Sequence, residues 1–332
     1  MAVKPPDSDG IGLFWWAAHH LPKDPTSSFS GKTILITGAN VGLGLEAAVK
    51  FASLDAARLV LCVRSLRRGQ DAAAEICKRA NYDIKRINLY EVDMSTFNSV
   101  KELAKTLSAK EPRIDVAVLN AGVTRPAYGL SPDGYEMTLQ VNVLSTTLLA
   151  ILLLPLLRET SKLSGRPSLL EFVGSHGHSM VKPDSFRFGD DERILQTVNS
   201  KAFFNYMTHY QASKLLLMYA YEGLVKSTSP DTSVIITTVC PGLCRTNLGR
   251  DFSSPMKFIN AVFQSFFSRS AEAGSRTLVS GAALGQDAHG QFWTHDVFFR
   301  WVRIYLRHRM RMLTSLTGKE TSSQVSKAKN YN

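Results

Sequence analysis

A glycine-rich turn between a strand and a helix limits this chain more than any other stretch. It runs Thr37-Gly38-Ala39-Asn40-Val41-Gly42-Leu43-Gly44. Thr33-Ile34-Leu35-Ile36 before it is a short aliphatic and β-branched run of the kind buried in a parallel sheet. Leu45-Glu46-Ala47-Ala48-Val49-Lys50-Phe51-Ala52 behind it reads as a helix. Strand, glycine turn and helix in that order make a phosphate cradle. Glycine turns tightly and lets a pyrophosphate approach the backbone, while the helix N-terminus offers free N–H groups and a positive dipole end. The spacing is T-G-x-x-x-G-x-G, not the commoner G-x-G-x-x-G. Gly38, Asn40, Gly42, Leu43 and Gly44 are the first candidate cofactor contacts.

From Gly31 onward strands and helices alternate, which predicts an α/β, doubly wound fold with a mostly parallel sheet and helices on both faces. The second strand, Arg58 to Val63, ends in Arg64-Ser65-Leu66-Arg67-Arg68. An NAD site usually places an acidic residue there for the ribose 2′-hydroxyl, and none stands in this position. Arg64, with Arg67 or Arg68 behind it, suits a 2′-phosphate through bidentate hydrogen bonds, so NADP(H) is favoured over NAD(H). The bland reading is that these arginines only solvate a helix start. A third strand, Ile87 to Val92, leads to Asp93, placed to meet an adenine edge. A fourth, Ile114 to Leu119, leads to the small-residue turn Asn120-Ala121-Gly122. Such turns at strand C-termini lie where ligands bind in open α/β sheets. A long apolar helix follows from Leu139 to Leu154, with Pro155, Arg158 and Glu159 limiting it to a core or dimer-interface role. The fifth strand, Ser168 to Gly174, carries Ser175 at its tip. The sixth, Ser233 to Cys240, opens into Pro241-Gly242-Leu243-Cys244-Arg245-Thr246.

The chemistry is expected from Asn142, Ser175, Tyr210 and Lys214. Tyr210 and Lys214 are four apart on a predicted helix and share a face. A free tyrosine, with a pKa of about 10, exchanges protons poorly at neutral pH. An ammonium at ~4 Å in an effective dielectric of ~20 contributes roughly 4 kcal/mol, or about three pKa units, which would bring the phenol close to neutrality. Lys214 would also hold the nicotinamide ribose. Ser175 would hydrogen-bond the substrate oxygen as charge develops on it, and Asn142 would pin a water joining Lys214 to solvent. Each residue alone has a structural explanation: a packed Tyr, a chance YxxxK, a capping Ser. Together and in this order behind a phosphate cradle, they do not.

These motifs carry a resemblance. Thr37 to Gly44, Asn120-Ala121-Gly122, Asn142, Ser175, Tyr210 to Lys214 and Pro241-Gly242 resemble the short-chain dehydrogenase/reductase family over roughly residues 31 to 295. The chain is most similar to its retinol-dehydrogenase-like branch and to fungal reductases of secondary metabolism. The resemblance implies a seven-stranded Rossmann sheet and a homodimer or homotetramer. It also implies Tyr210 as general acid/base, hydride transfer with nicotinamide, and cofactor contacts from Asn120, Tyr210, Lys214, Gly242 and Thr246. Three departures stand out. Leu119 replaces the first Asn of the usual N-N-A-G, and Gly174 stands where a second serine is frequent. The interval from Ser175 to Tyr210 is also long, 35 residues, which suggests an insertion walling the substrate pocket.

Composition separates partners. Four cysteines (62, 77, 240 and 244) show no metal-ligand spacing, so no metal is expected, and a reduced, cytoplasmic setting is. The net charge of +11 is uneven. From Arg300 to Asn332 eight Arg and Lys face Glu320 alone, a net of +7. Nothing resembles a nucleic-acid module. The organisation expected is an N-terminal extension (1–30), one Rossmann domain (31–295) and a basic helix and tail (296–332). That helix either rests peripherally on an anionic membrane or is a solvated docking helix, the latter preferred. The N-terminal patch Ile11 to Ala18 is too short to span a bilayer and is expected to pack over the fold. Phe186, Phe188, Phe203 and Phe204, with Phe252, Met256, Phe258, Ile259, Val262, Phe263, Phe266 and Phe267 after Thr246, suggest a hydrophobic small-molecule substrate. A lipid, a retinoid-like aldehyde, a polyketide or a terpenoid would fit. The second group recurs at helical spacing and equally reads as an amphipathic helix. Two further functions stay open beside a ketoreductase: an NADP-binding relative with a non-redox step, and a dinucleotide-sensing interaction protein.

Overall fold

The computed structural model describes residues 11–181, 194–229, 231–245, 264 and 266–299. Its centre is one sheet of β1 (Thr33–Thr37), β2 (Arg58–Val63), β3 (Ile87–Glu91), β4 (Val116–Leu119), β5 (Ser168–Val173), β6 (Val234–Val239), β7 (Phe292–Thr294) and β8 (Val297–Phe299). The spatial order is β3-β2-β1-β4-β5-β6-β7-β8. The first seven run parallel and β8 returns antiparallel to β7. The sheet thus has eight strands rather than the expected seven. The extra one exists because His295 and Asp296 both take positive φ (52° and 59°). This is the two-residue turn whose twist suits a hairpin.

The order reverses between β1 and β4, and the crevice above that switch point receives the glycine turn and Asn120. Leu35 points into one core while Ile34 and Ile36 point into the other, the period of two expected of a strand covered on both faces. One face is closed by α2 (Gly42–Ser53), α3 (Leu66–Ala80) and α8 (Ala271–Ala282). The other carries α4 (Phe97–Lys110), α5 (Met137–Ser164) and α7 (Tyr206–Thr228). Among the described residues, α5 alone is long and apolar enough to cross a bilayer. Its Leu149, Leu153 and Leu157 are buried in the core beside Leu103 and Leu107 of α4. A short α6 (Ile194–Asn199) belongs to the long interval before Tyr210.

The N-terminal patch forms α1 (Ile11–His19) and touches the fold. Ala17 is buried, Trp16 stacks on His20 and its ring lies 4.9 Å from that of His295. The expected basic helix beyond Phe299, the residues 252–263 after Thr246, and Phe186 and Phe188 lie outside the described residues.

Candidate active site

The glycine turn is shaped by close approach. Gly38 and Gly42 take positive φ (67° and 58°). A Cβ on Gly44 would lie 2.5 Å from Gly38 O and 2.6 Å from Asn120 Nδ2, so only glycine lets α2 start there. Val41, at the N-cap of α2, makes no side-chain cap, which leaves the first N–H groups of the helix facing the turn. Asn40 and Leu43 are half-buried beside them. A ligand phosphate would meet donors with no competing protein side chain, and the residues present fit a dinucleotide. Asn120 holds the turn from the next strand, its Nδ2 donating to Thr37 O (2.9 Å), while Ala121 N–H donates to Thr37 Oγ1 (2.9 Å).

Arg64 is exposed immediately after β2, with Arg67 and Arg68 exposed on the first turn of α3. Asp93 follows β3, its carboxylate accepting from Ser95 N–H (2.9 Å). Gly242 has φ 75°, and a Cβ there would stand 2.9 Å from an Arg269 nitrogen. Arg269 was not legible as a site residue. It is buried beneath the Pro241-Gly242 turn and its backbone pairs with the segment around Cys244. Its guanidinium donates to Ala17 O (2.8 Å) and contacts His295 Nε2, joining α1 to the turn. Thr246 lies outside the described residues.

Asn142, Ser175, Tyr210 and Lys214 gather at the C-terminal end of the sheet. Asn142 occupies a π-helical segment of α5, Gln140–Ser145, a distortion found often at functional positions. Thr146 Oγ1 donates to Val141 O (2.8 Å) inside it. The Asn142 amide clamps the loop after β4: Val123 N–H donates to Oδ1 (2.8 Å) and Nδ2 donates to Val123 O (2.9 Å). Its other Nδ2 hydrogen goes to Ser213 Oγ (3.1 Å) on α7. The expected water link to Lys214 is therefore not carried by this side chain's N–H groups, both of which have protein partners.

Ser175 caps the 3-10 turn His176–Met180, accepting from Gly177 N–H (3.1 Å), and shares a hydrogen bond with the Tyr210 phenol. The missing serine before it has a steric reason, since a Cβ on Gly174 would sit 2.8 Å from Thr238 Oγ1. Lys214 lies one turn beyond Tyr210, its Nζ 5.8 Å from the phenol ring centroid and donating to Val173 O (2.8 Å).

The electrostatics differ from the Coulomb expectation. Burial pushes the Tyr210 phenol above its usual range, a thiol at Cys240 adds to this, and the Ser175 hydrogen bond only partly opposes it. Burial also brings the Lys214 amine down to about 8. Loss of water, not attraction between the two groups, is the leading influence on each. His176 beside Ser175 is held neutral, pushed down to about 3 by burial, with His178 and Arg269 adding to it. The phenol is thus a held proton, and Tyr210 is the group at this site able to donate one to an acceptor beside Ser175.

Comparison with known proteins agrees with this geometry. The short chain dehydrogenase family model matches residues 32–166. The short-chain dehydrogenase/reductase phmF of Phaeosphaeria nodorum is 50% identical over 274 residues, 82% of this chain and 80% of its own. The chain belongs to the short-chain dehydrogenase/reductase family. Its relative ffsI of Aspergillus flavipes, of the same description, is 47% identical over 291 residues, covering 88% of this chain and 85% of that one. Among solved structures, the L-sorbose reductase of Gluconobacter frateurii, in complex with NADPH and L-sorbose, shares the fold. Its TM-score is 0.59 at 18% identity, over 81% of this chain and 97% of that chain. As a member of this family the protein is an oxidoreductase.

Proposed function

We propose that this short-chain dehydrogenase/reductase is an NADP(H)-dependent reductase of a hydrophobic carbonyl compound. The observation that carries the reading is the gathering of Ser175, Tyr210 and Lys214 at the C-terminal end of the sheet beside the glycine turn, with the Tyr210 phenol hydrogen-bonded to Ser175. Carbonyl reduction takes up a proton at the oxygen, and the phenol is the acid placed to supply it. NADPH, when bound, would supply the hydride.

The chain's own residues do the rest. Gly38, Gly42, Gly44 and the open N-terminus of α2 would hold the pyrophosphate, and Arg64 would take the 2′-phosphate. Asp93 and Asn120 would border the adenosine half and Gly242 the nicotinamide half. Ser175 Oγ orients the substrate oxygen towards Tyr210. Lys214, whose amine at about 8 is largely protonated near neutral pH, would hold the nicotinamide ribose and resupply the phenol's proton. Asn142 keeps the Val123 loop and α7 in register around them. Phe203 and Phe204 stand against His209, the neighbour of Tyr210, and Tyr128 meets Phe204 edge-on at 5.8 Å. This aromatic cluster lies in and against the long interval leading to Tyr210, and its apolar character favours an apolar substrate, a polyketide- or terpenoid-like ketone or a lipid aldehyde, over a sugar.

The test is NADPH oxidation by the purified protein across hydrophobic ketones and aldehydes, with Tyr210→Phe alongside. Turnover is expected to vanish in the variant while NADPH affinity stays within about threefold, because removing a proton donor leaves the binding surface in place. A variant as active as the wild type would remove Tyr210 from the chemistry.

A further inference from the structure

Glu136 and His209 meet in the interior with no role assigned so far. Glu136 is fully buried and His209 is 2% exposed, and His209 Nε2 lies 2.7 Å from Glu136 Oε2. Glu136 stands at the N-terminus of α5, six residues before Asn142. His209 lies on α7, immediately before Tyr210. We infer that Glu136 and His209 form a positioning pair that holds the Tyr210 helix in register with the Asn142 segment and with Asn199 in the interval before it. The inference rests on the reading that Tyr210 carries the reaction's proton.

Three elements converge on this contact. Towards α5, the Glu136 side chain accepts from Thr138 N–H (2.8 Å), Leu139 N–H (3.0 Å) and Thr138 Oγ1 (3.2 Å), so it is fixed on the helix it caps. Towards the interval before α7, Glu136 N–H donates to Asn199 Oδ1 (2.6 Å), and Asn199 Nδ2 donates to Gly134 O (3.1 Å). The Tyr128 hydroxyl donates to Asn199 O (3.0 Å), tying the segment after β4 to the same point. Towards α7, His209 N–H donates to Asn205 O (2.7 Å) and its ring faces Phe203 and Phe204 at centroid distances of 6.1 and 5.1 Å. The carboxylate is thus the one group bonded to α5 and, through its own backbone, to Asn199, while touching α7.

Stability alone does not call for such a pair. A buried carboxylate–imidazole contact is often matched or exceeded by apolar side chains of the same volume. What apolar packing cannot supply is a single register. Slippage of α7 by a fraction of a turn would keep leucines buried but would part His209 from Glu136 and move Tyr210 away from Ser175. The 2.7 Å approach of the imidazole to the carboxylate, close although neither ring nitrogen completes a hydrogen bond of good geometry, exists in one register only and restricts that freedom.

The experiment uses the full chain with NADPH bound and three proteins: Glu136→Gln, His209→Phe and the double variant. Each single change is expected to lower kcat on the order of 10- to 100-fold, the cost of misplacing a catalytic group by about an ångström, with the NADPH dissociation constant within about twofold. The double variant should fall no further than the weaker single, because either change breaks the same contact. Hydrogen–deuterium exchange supplies a readout independent of turnover. Glu136→Gln should raise exchange in residues 206–214, His209→Phe should raise it in 137–145, and β1 and β4 should stay protected in both. Losses in kcat that multiply, or exchange that rises only on the element carrying the substitution, would overturn the pair as a positioning device. If the wild type turned over no carbonyl, the reductase reading would fail while the exchange arms still decided the pair. Should His209→Phe not fold, His209→Gln, which also lacks the imidazole, carries the same comparison.

Discussion

Lys214 should cost the fold stability, and the cost can be worked out. Lys214 is 7% exposed, its amine donates to Val173 O, and among the described residues it makes no ion pair. Burial brings it from 10.5 to about 8. At about 1.36 kcal/mol per unit, the charged form is disfavoured in the folded state by roughly 3 kcal/mol. The sign follows from linkage. Between pH 8 and 10.5 the unfolded chain holds a proton that the folded chain has released, so stability rises with pH across that window, and below it the full penalty applies. Lys214→Met keeps the length of the side chain, removes the charge and gives up the bond to Val173 O, worth about 1 kcal/mol. The nucleotide-free variant is therefore expected to be about 2 kcal/mol more stable than the wild type at pH 7 and no more stable at pH 10.5. Urea denaturation of both proteins at the two pH values measures this, and the variant should also lose reductase activity. A variant less stable at pH 7, or two parallel pH profiles, would refute the claim that desolvation dominates at Lys214.

Two further changes probe the sheet and the cofactor. Glu171, in the middle of β5, is fully buried, both its carboxyl oxygens are without a hydrogen-bond partner, and burial raises it well above the usual carboxylate range. The folded chain keeps a proton there that the unfolded chain releases above about 4.5, so stability is lost as pH rises past that value; Glu171→Met should match the wild type near pH 4 and exceed it at pH 7 in denaturant titrations. Arg64→Ala should raise the NADPH dissociation constant about 10- to 100-fold, the worth of hydrogen bonds to a charged group, and leave NADH within about twofold. Equal losses for the two nucleotides, read by fluorescence titration, would take Arg64 out of the 2′-phosphate site.

What could be read ahead of the structure, and what could not, divides along a physical line. Ile34-Leu35-Ile36 announced a strand because a parallel strand buried on both faces needs an unbroken apolar run. Gly38, Gly42 and Gly44 announced the turn because no other residue fits its dihedrals and close contacts. Tyr210 and Lys214 announced a shared face because helical spacing is a local property. Local geometry also suggested their charge coupling, but spacing reports how near two groups are, not how far each is removed from water, and burial is the leading influence on both. β8 was hidden because its hairpin rests on His295 and Asp296 in a backbone region usually marked by glycine or asparagine. Glu136 with His209, and Arg269 with Ala17, were hidden because each joins segments far apart in the chain.

The hidden contacts share one property that ties fold to function. Glu136, His209 and Arg269 are polar groups taken out of water, and Lys214 is another. A fold selected only for stability would replace them with apolar side chains. The two whose loss is expected to stabilise or spare the sheet, Lys214 and Glu171, lie on opposite sides of that argument. Lys214 sits one turn from Tyr210, the proposed proton donor, where a weakened base is chemically useful. Glu171 sits within the sheet with nothing to act on, so its replacement should change pH stability and leave turnover alone. If Glu171→Met lowered kcat as Lys214→Met does, burial of a charge would no longer distinguish the groups that work from those that only cost the fold.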